Sequence, residues 1–140
     1  MAGSFQLIVV TPQRKLLSEP VERIAVRGSE GEMGILYDHS PMVTQLGRGT
    51  MRAVTGKDSR PIAISGGGYM EVLPDRVTIL ADMAEFPEEI DVARARQAKE
   101  RAEKRLAGRP IEENEEVNYT RAQTALKRAL TRLEAARWTK

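Results

Sequence analysis

The stretch IDVARA, Ile90 to Ala95, sets a carboxylate, Asp91, and a guanidinium, Arg94, three positions apart at the head of a helix-forming run. A carboxylate there complements the positive end of the helix dipole, so Asp91 has a structural use as well as a chemical one. At about 100° per residue, Arg94, Arg101 and Arg105 fall on one helix face, and Arg121, Arg128 and Arg132 fall on one face of a second helical run. Two converging rows of guanidinium groups repel unless something anionic sits between or against them. Three readings follow. The rows form a solvated charged face, helped by pairs such as Glu100 with Lys104; they dock on an acidic surface of another protein; or they hold a phosphate-bearing ligand, with Asp91 at the first turn.

Other chemistry is constrained by what the chain contains. It has no cysteine, which removes disulfides, thiolate metal sites and cysteine nucleophiles, and its single histidine, His39, rules out histidine-rich metal sites. His39 sits in the turn YDHSPM without a Ser/Asp arrangement around it, so it reads as a structural or contact residue. SGGGY at 65–69 lacks the lysine of a phosphate-binding loop and leads into a strand, so it reads as a tight turn or bulge. Six aromatic residues and no nucleic-acid fingerprint argue against nucleic-acid binding. No run approaches the roughly 18–20 apolar residues that cross a bilayer, and MAGSFQLIVV lacks the features of a signal peptide, so a soluble intracellular protein without membrane insertion is expected.

The elements that must position these residues are written in two periods. From Phe5 to Met83 apolar residues alternate in short runs, as in Phe5, Leu7, Val9 and Val77, Ile79, Ala81, separated by the turn signals TPQRK, GSEGEMG, TGKD, SGGG and LPDR. This predicts a small antiparallel β domain, a sandwich or barrel, over 1–87. After Pro87 the composition shifts to Ala, Arg, Glu, Lys, Leu and Gln, predicting helices over Ile90–Leu106 and about Val117–Arg137, broken at AGRP with Gly108 as the cap. Residues 88–140 thus form a two-helix antiparallel hairpin. Its net charge is basic: thirteen Lys and Arg against ten Asp and Glu, with Glu88, Glu89, Glu112, Glu113, Glu115 and Glu116 confined to the ends of the helical stretches. Trp138 is a lone aromatic on the helix tail, expected to pack on a neighbour.

The helices carry alanine stripes: Ala95, Ala98, Ala102 and Leu106 on the first, and Ala122, Leu126, Ala129, Leu133 and Ala136 on the second. Such a seam permits close approach but buries little. At about 25 cal/mol per Å² of apolar surface, against about 1–2 kcal/mol of backbone entropy per ordered residue, it cannot sustain the hairpin alone. The hairpin needs the β domain, a partner or a ligand, which makes it a candidate switch.

In this order SEGEMGILYDHSPMVTQL (29–46), SGGGYMEV (65–72), RVTILAD (76–82) and IDVARA (90–95), followed by a basic helical hairpin, resemble the epsilon subunit of bacterial F-type ATP synthase over almost the whole chain. The resemblance implies an N-terminal β-sandwich with a C-terminal two-helix hairpin, and a non-catalytic rotor subunit on the cytoplasmic face of the plasma membrane. Carried over, the sandwich holds the gamma subunit and rests on the c-ring: Ser29, Glu30 and Glu32 would face the ring, and His39 would lie near gamma. The hairpin would switch between a form folded onto the sandwich and an extended form that reaches the alpha/beta catalytic hexamer and opposes hydrolysis. IDVARA matches the motif by which some members bind ATP as a regulatory ligand, alone or with magnesium. That implies Ile90, Asp91, Arg94 and Ala95 as the motif and Glu85, Arg101, Arg121 and Arg128 as further contacts. The acidic interhelical loop RPIEENEEVN offers rival partners for the same arginines. The competing reading is a structural adaptor with a permanently docked hairpin and no nucleotide.

Overall fold

A computed structural model of the chain describes residues 3–109 and 116–138. The expected glutamates Glu112, Glu113 and Glu115 of the interhelical loop lie outside the described residues. Ten strands come first: β1 (Phe5–Val10), β2 (Lys15–Val21), β3 (Arg23–Gly28), β4 (Gly31–Leu36), β5 (Met42–Leu46), β6 (Gly49–Thr55), β7 (Asp58–Ile64), β8 (Gly68–Leu73), β9 (Arg76–Ala81) and the two-residue β10 (Ala84–Glu85). A 3₁₀ turn at Pro87–Glu89 leads into α1 (Val92–Leu106) and α2 (Tyr119–Ala136).

Alternation builds the sandwich. In β1, Phe5, Leu7 and Val9 point inward and are buried, while Gln6, Ile8 and Val10 face outward. One layer runs β10-β7-β6-β3, with β4 also paired to β3; the other runs β5-β8-β9-β1-β2. They are stitched at one point, Gly28 opposite Leu46. Leu7, Ile24, Met51, Ile62, Met70 and Ile79 fill the space between them. The pairing is antiparallel except that β1 lies parallel to β9, from Gln6 beside Arg76 to Val10 beside Leu80. An inward/outward pattern is the same for either strand direction, which is why the sequence does not reveal this pair. The stretch GSEGEMG is also more ordered than a turn, since only Ser29 and Glu30 turn and Gly31 already opens β4.

SGGGY is a bend at Gly66 that links β7 to β8, held across to residues 82–83 rather than by a turn of its own. The Ser65 and Gly66 N–H groups donate to the Met83 carbonyl, and the Asp82 N–H donates to that of Gly67 at 2.7 Å. Gly68 is fixed by its neighbours: an added Cβ would lie 2.0 Å from the Leu80 carbonyl oxygen and 2.8 Å from the Ala81 Cα.

Both helices begin two residues later than composition predicts, because polar caps decide their starts. Asp91 Oδ1 accepts the Arg94 N–H at 3.0 Å, and Asn118 Oδ1 accepts the Arg121 N–H at 3.1 Å. Helix α1 ends as AGRP predicts. Gly108 has φ 76°, its N–H donates to the Arg105 carbonyl, and the Arg109 N–H reaches back to that of Lys104. This double bond satisfies carbonyls that the helix end would leave orphaned.

The alanine stripes meet, with Ala95, Ala102, Ala122 and Ala129 buried between the helices. The hairpin is folded down: α1 lies on α2, and α2 lies on β6, β7 and the 3₁₀ turn. Strand β7 records this second layer. Ile62, Ala63 and Ile64 are all buried, the isoleucines in the sandwich core and Ala63 on the outer face beneath Ala135 and beside Ile90. Ala135 lies outside the predicted stripe because it serves the sandwich rather than α1.

Two substitutions separate these layers. Ala63→Leu overfills the contact under α2 and is expected to weaken docking by about 1–3 kcal/mol; amide exchange should accelerate along α2 while β1 and β9 stay protected. Gly68→Ala drives a Cβ into the β9 backbone and is expected to lower the melting temperature of the sandwich itself, read by its thermal unfolding.

Candidate functional site

The motif IDVARA spans the corner where the sandwich becomes the hairpin. Phe86 precedes the 3₁₀ turn, and its N–H donates to Glu89 Oε1 at 3.0 Å. The other oxygen of Glu89 receives Arg14 Nη2 at 2.7 Å, tying the corner to the β1–β2 connection. Burial opposes the Glu89 charge, yet the Phe86 N–H and the Arg14 guanidinium together hold its carboxyl below the ordinary glutamate value. Ile90 is buried with Ala63 and Ala135, so this motif residue serves docking. Ala95 is buried in the helix seam. Asp91 caps α1, and Arg94 is exposed.

Glu85, at the end of β10, meets Arg132 of α2: Nε to Oε1 is 2.6 Å and Nη2 to Oε2 is 3.4 Å. Their side chains are 18% and 20% exposed, so this pair is more shielded than the other ion pairs among the described residues. The expected site did not include Arg132. Its signal was its place in the second arginine row, one turn beyond Arg128.

The two rows converge only at the far end of the hairpin. Arg105, Arg121 and Arg128 line one cleft of about 480 Å³ with Asn118, Thr120 and Thr124. Glu116 lines it as well, and Arg128 Nε is buried there without a hydrogen-bond partner among the described residues. Arg101 is exposed and does not line this cleft. Of the expected contacts, then, Arg121 and Arg128 come together with Arg105, whereas Ile90, Asp91, Arg94, Ala95 and Glu85 gather at the opposite end of α1. No three histidine, aspartate or glutamate side chains cluster as metal ligands among the described residues.

The contact residues expected on the sandwich also separate. Ser29 and Glu30 form the exposed tip of the β3–β4 hairpin, with Glu32 just beyond. His39 lies past the other end of β4, its Nδ1 2.7 Å from the Ser40 carbonyl oxygen. On the face turned away from α2, Val43, Tyr69 and Leu80 are 70, 57 and 55% exposed. Tyr69 stands directly opposite Leu80, and Val10 flanks Leu80 on β1. Across the pair of strands Val43 stands opposite Glu71 and Tyr69 opposite Gln45, so these apolar side chains are interleaved with polar ones. Among the described residues no helix is long and apolar enough to cross a membrane.

Residues 4–87 match the family described as ATP synthase, Delta/Epsilon chain, beta-sandwich domain, and residues 88–137 match its long alpha-helix domain. The chain is 49% identical over 136 residues to the ATP synthase epsilon chain of Syntrophobacter fumaroxidans, covering 97% of this chain and 98% of that protein. It is 47% identical to that of Syntrophomonas wolfei, with 96% and 95% covered. Among solved structures it is similar to a chain of the Euglena gracilis mitochondrial ATP synthase OSCP/F1/c-ring assembly, with a TM-score of 0.77, 29% identity and coverage of 95% and 81%. A chain of the Tetrahymena thermophila mitochondrial ATP synthase central stalk and c-ring shares the fold at TM-score 0.59 and 12% identity, covering 96% of this chain and 95% of that one.

Glu85→Gln leaves Arg132 partly buried without its anion and is expected to destabilise docking by about 1–2 kcal/mol, read as faster amide exchange in α2. The Glu89 contribution has a defined pH window. Its carboxyl is held low in the folded chain, so the stabilisation is present above the unfolded-state pKa and fades as pH falls through the lower folded-state value. Titration of Glu89 by NMR should show its pKa rising in Arg14→Ala.

Proposed function

The chain belongs to the ATP synthase delta/epsilon family, as a non-catalytic epsilon-type component of the F-type central stalk, and on that premise we propose that it joins ring rotation to the shaft and gates ATP hydrolysis through an ATP-sensitive hairpin. In this reading the strip of Val43, Tyr69 and Leu80 seats the gamma subunit, and the tip at Ser29, Glu30 and Glu32 meets the c-ring, with His39 near gamma. The hairpin, released from the sandwich, reaches the alpha/beta hexamer at the cytoplasmic face of the membrane.

The observation that carries the switch is how little holds the docked form. Its buried apolar contact is Ala63, Ile90 and Ala135, with Ala136 at the edge, flanked by the Glu85–Arg132 ion pair and the stacking of Arg52 on Trp138. A ligand bound only to the compact form stabilises it by RT ln(1 + [L]/Kd), about 2.7 kcal/mol at a hundredfold excess over Kd, which is enough to bias such a contact. ATP phosphates would engage Arg94 at the IDVARA corner. Arg121 and Arg128 lie toward the other end of α1 and Arg101 on its exposed face, so the docked form does not bring them to the same nucleotide. None of these four side chains has an ion pair among the described residues. Asp91 and Glu85 would orient the nucleotide. Magnesium, where present, would arrive on the phosphates, its preferred company.

One observation favours the adaptor reading. Glu85 is already engaged with Arg132 and Asp91 with its helix cap, leaving the free arginines for an acidic protein segment. Calorimetry of the full chain with ATP separates the two. The switch predicts saturable one-to-one binding, weakened about tenfold or more in Arg94→Ala. An absence of heat at millimolar ATP from a folded chain would leave the adaptor.

A further inference from the structure

We propose that a second cleft, between α2 and the outer face of β3 and β6, binds a small polyphosphate-class anion and clasps the hairpin to the sandwich when filled. It has a volume of about 690 Å³, with Arg27, Arg48, Thr50 and Arg52 on the sandwich wall and Lys127 and Trp138 on the helix wall. Glu32 and Glu134 also line it, so four cations face two carboxylates. Among the described residues none of the four cations lies in an ion pair.

What distinguishes this cleft from an ordinary basic surface is that the guanidinium groups of Arg48 and Arg52 are held by something other than an acid, while the aliphatic stem of Arg27 is packed beside them. The Arg27 stem runs along two glycines: an added Cβ would lie 3.4 Å from its Cγ at Gly47 and 3.3 Å from its Cδ at Gly49. Arg48 Nε donates to the Ser65 carbonyl at 3.1 Å, leaving its two terminal nitrogens unused. The Arg52 guanidinium stacks 3.6 Å from the centre of the Trp138 ring. Arg48 and Arg52 are therefore oriented without being neutralised, with Arg27 beside them, and the planar guanidinium fork matches phosphate oxygens. Thr50 adds a hydroxyl whose buried Oγ1 meets no partner among the described residues, and a buried hydroxyl calls for one.

The walls belong to different parts of the molecule, so the cleft exists only while α2 is docked. An anion that bridges Arg27 and Arg48 to Lys127 would bind the folded-down form and not the released one. The cleft takes its cations from other side chains than the Arg105, Arg121 and Arg128 cleft and than the IDVARA corner, so it stands or falls separately from ATP binding at either place.

Trp138 is the chain's one tryptophan, so its fluorescence reports on this cleft. The full chain would be titrated with inorganic pyrophosphate at constant ionic strength, with phosphorus NMR as a second readout. Saturable binding is expected, weakened about tenfold or more in Arg27→Gln and in Arg48→Gln and unchanged in Arg96→Gln, an exposed arginine of α1 outside both clefts. Amide exchange in α2 should slow on saturation. Repeating the titration with ADP in an Arg94→Ala background assigns the source of the phosphate: equal affinity supports a site for the phosphate chain alone, and tighter binding supports a nucleotide. The proposal is overturned if neither readout saturates, if sodium chloride reproduces the response, or if both Arg27→Gln and Arg48→Gln leave the affinity intact.

Discussion

The contact of Ala63 with Ala135 is the constraint on which the arrangement rests. Two methyl side chains let α2 lie close on β7, and everything else that joins the hairpin to the sandwich is set at their periphery: Ile90 beside them, Arg132 on Glu85 and Arg52 on Trp138. So little apolar area gives modest stabilisation, and exposed polar contacts add direction more than strength. The docked geometry is therefore well defined although it is weakly held. That combination suits an element that must occupy one place and then leave it.

The sandwich tolerates such a loose companion because its own core is closed without it. Leu7, Ile24, Met51, Ile62, Met70 and Ile79 lie between two five-stranded layers, and none of them depends on α2. The outer faces differ accordingly. One carries Ala63, Thr50 and Arg52 toward the helices, and on the other Val43, Tyr69 and Leu80 are exposed.

Much of this was legible along the chain. Period-two runs marked the strands, and the change after Pro87 marked the helices. AGRP announced the glycine turn that Gly108 makes at the end of α1, and Asp91 announced a helix start. These features are local, since a cap or a strand alternation is decided within a few residues of the group it serves. The parallel pairing of β1 with β9 was not legible, because both strand directions share one inward and outward pattern. The third buried residue in a row on β7 was equally hidden, since alternation describes one covered face and here a second layer covers the other.

The candidate site divides along the same line. The sequence by itself determined that two arginine rows flank two alanine seams, that Asp91 and Arg94 sit at a helix head, and that the hairpin is short of apolar support. Only the tertiary structure decided which arginine meets which acid. Arg132 finds Glu85 from 47 positions away, Arg105 joins Arg121 and Arg128 at the far end of the hairpin, and Arg27, Arg48 and Arg52 gather opposite Lys127. The physical reason is range. Helical periodicity and capping act between residues a turn apart, whereas the charge partners are chosen by how one layer lands on another, and that landing is set by the methyl groups of Ala63 and Ala135.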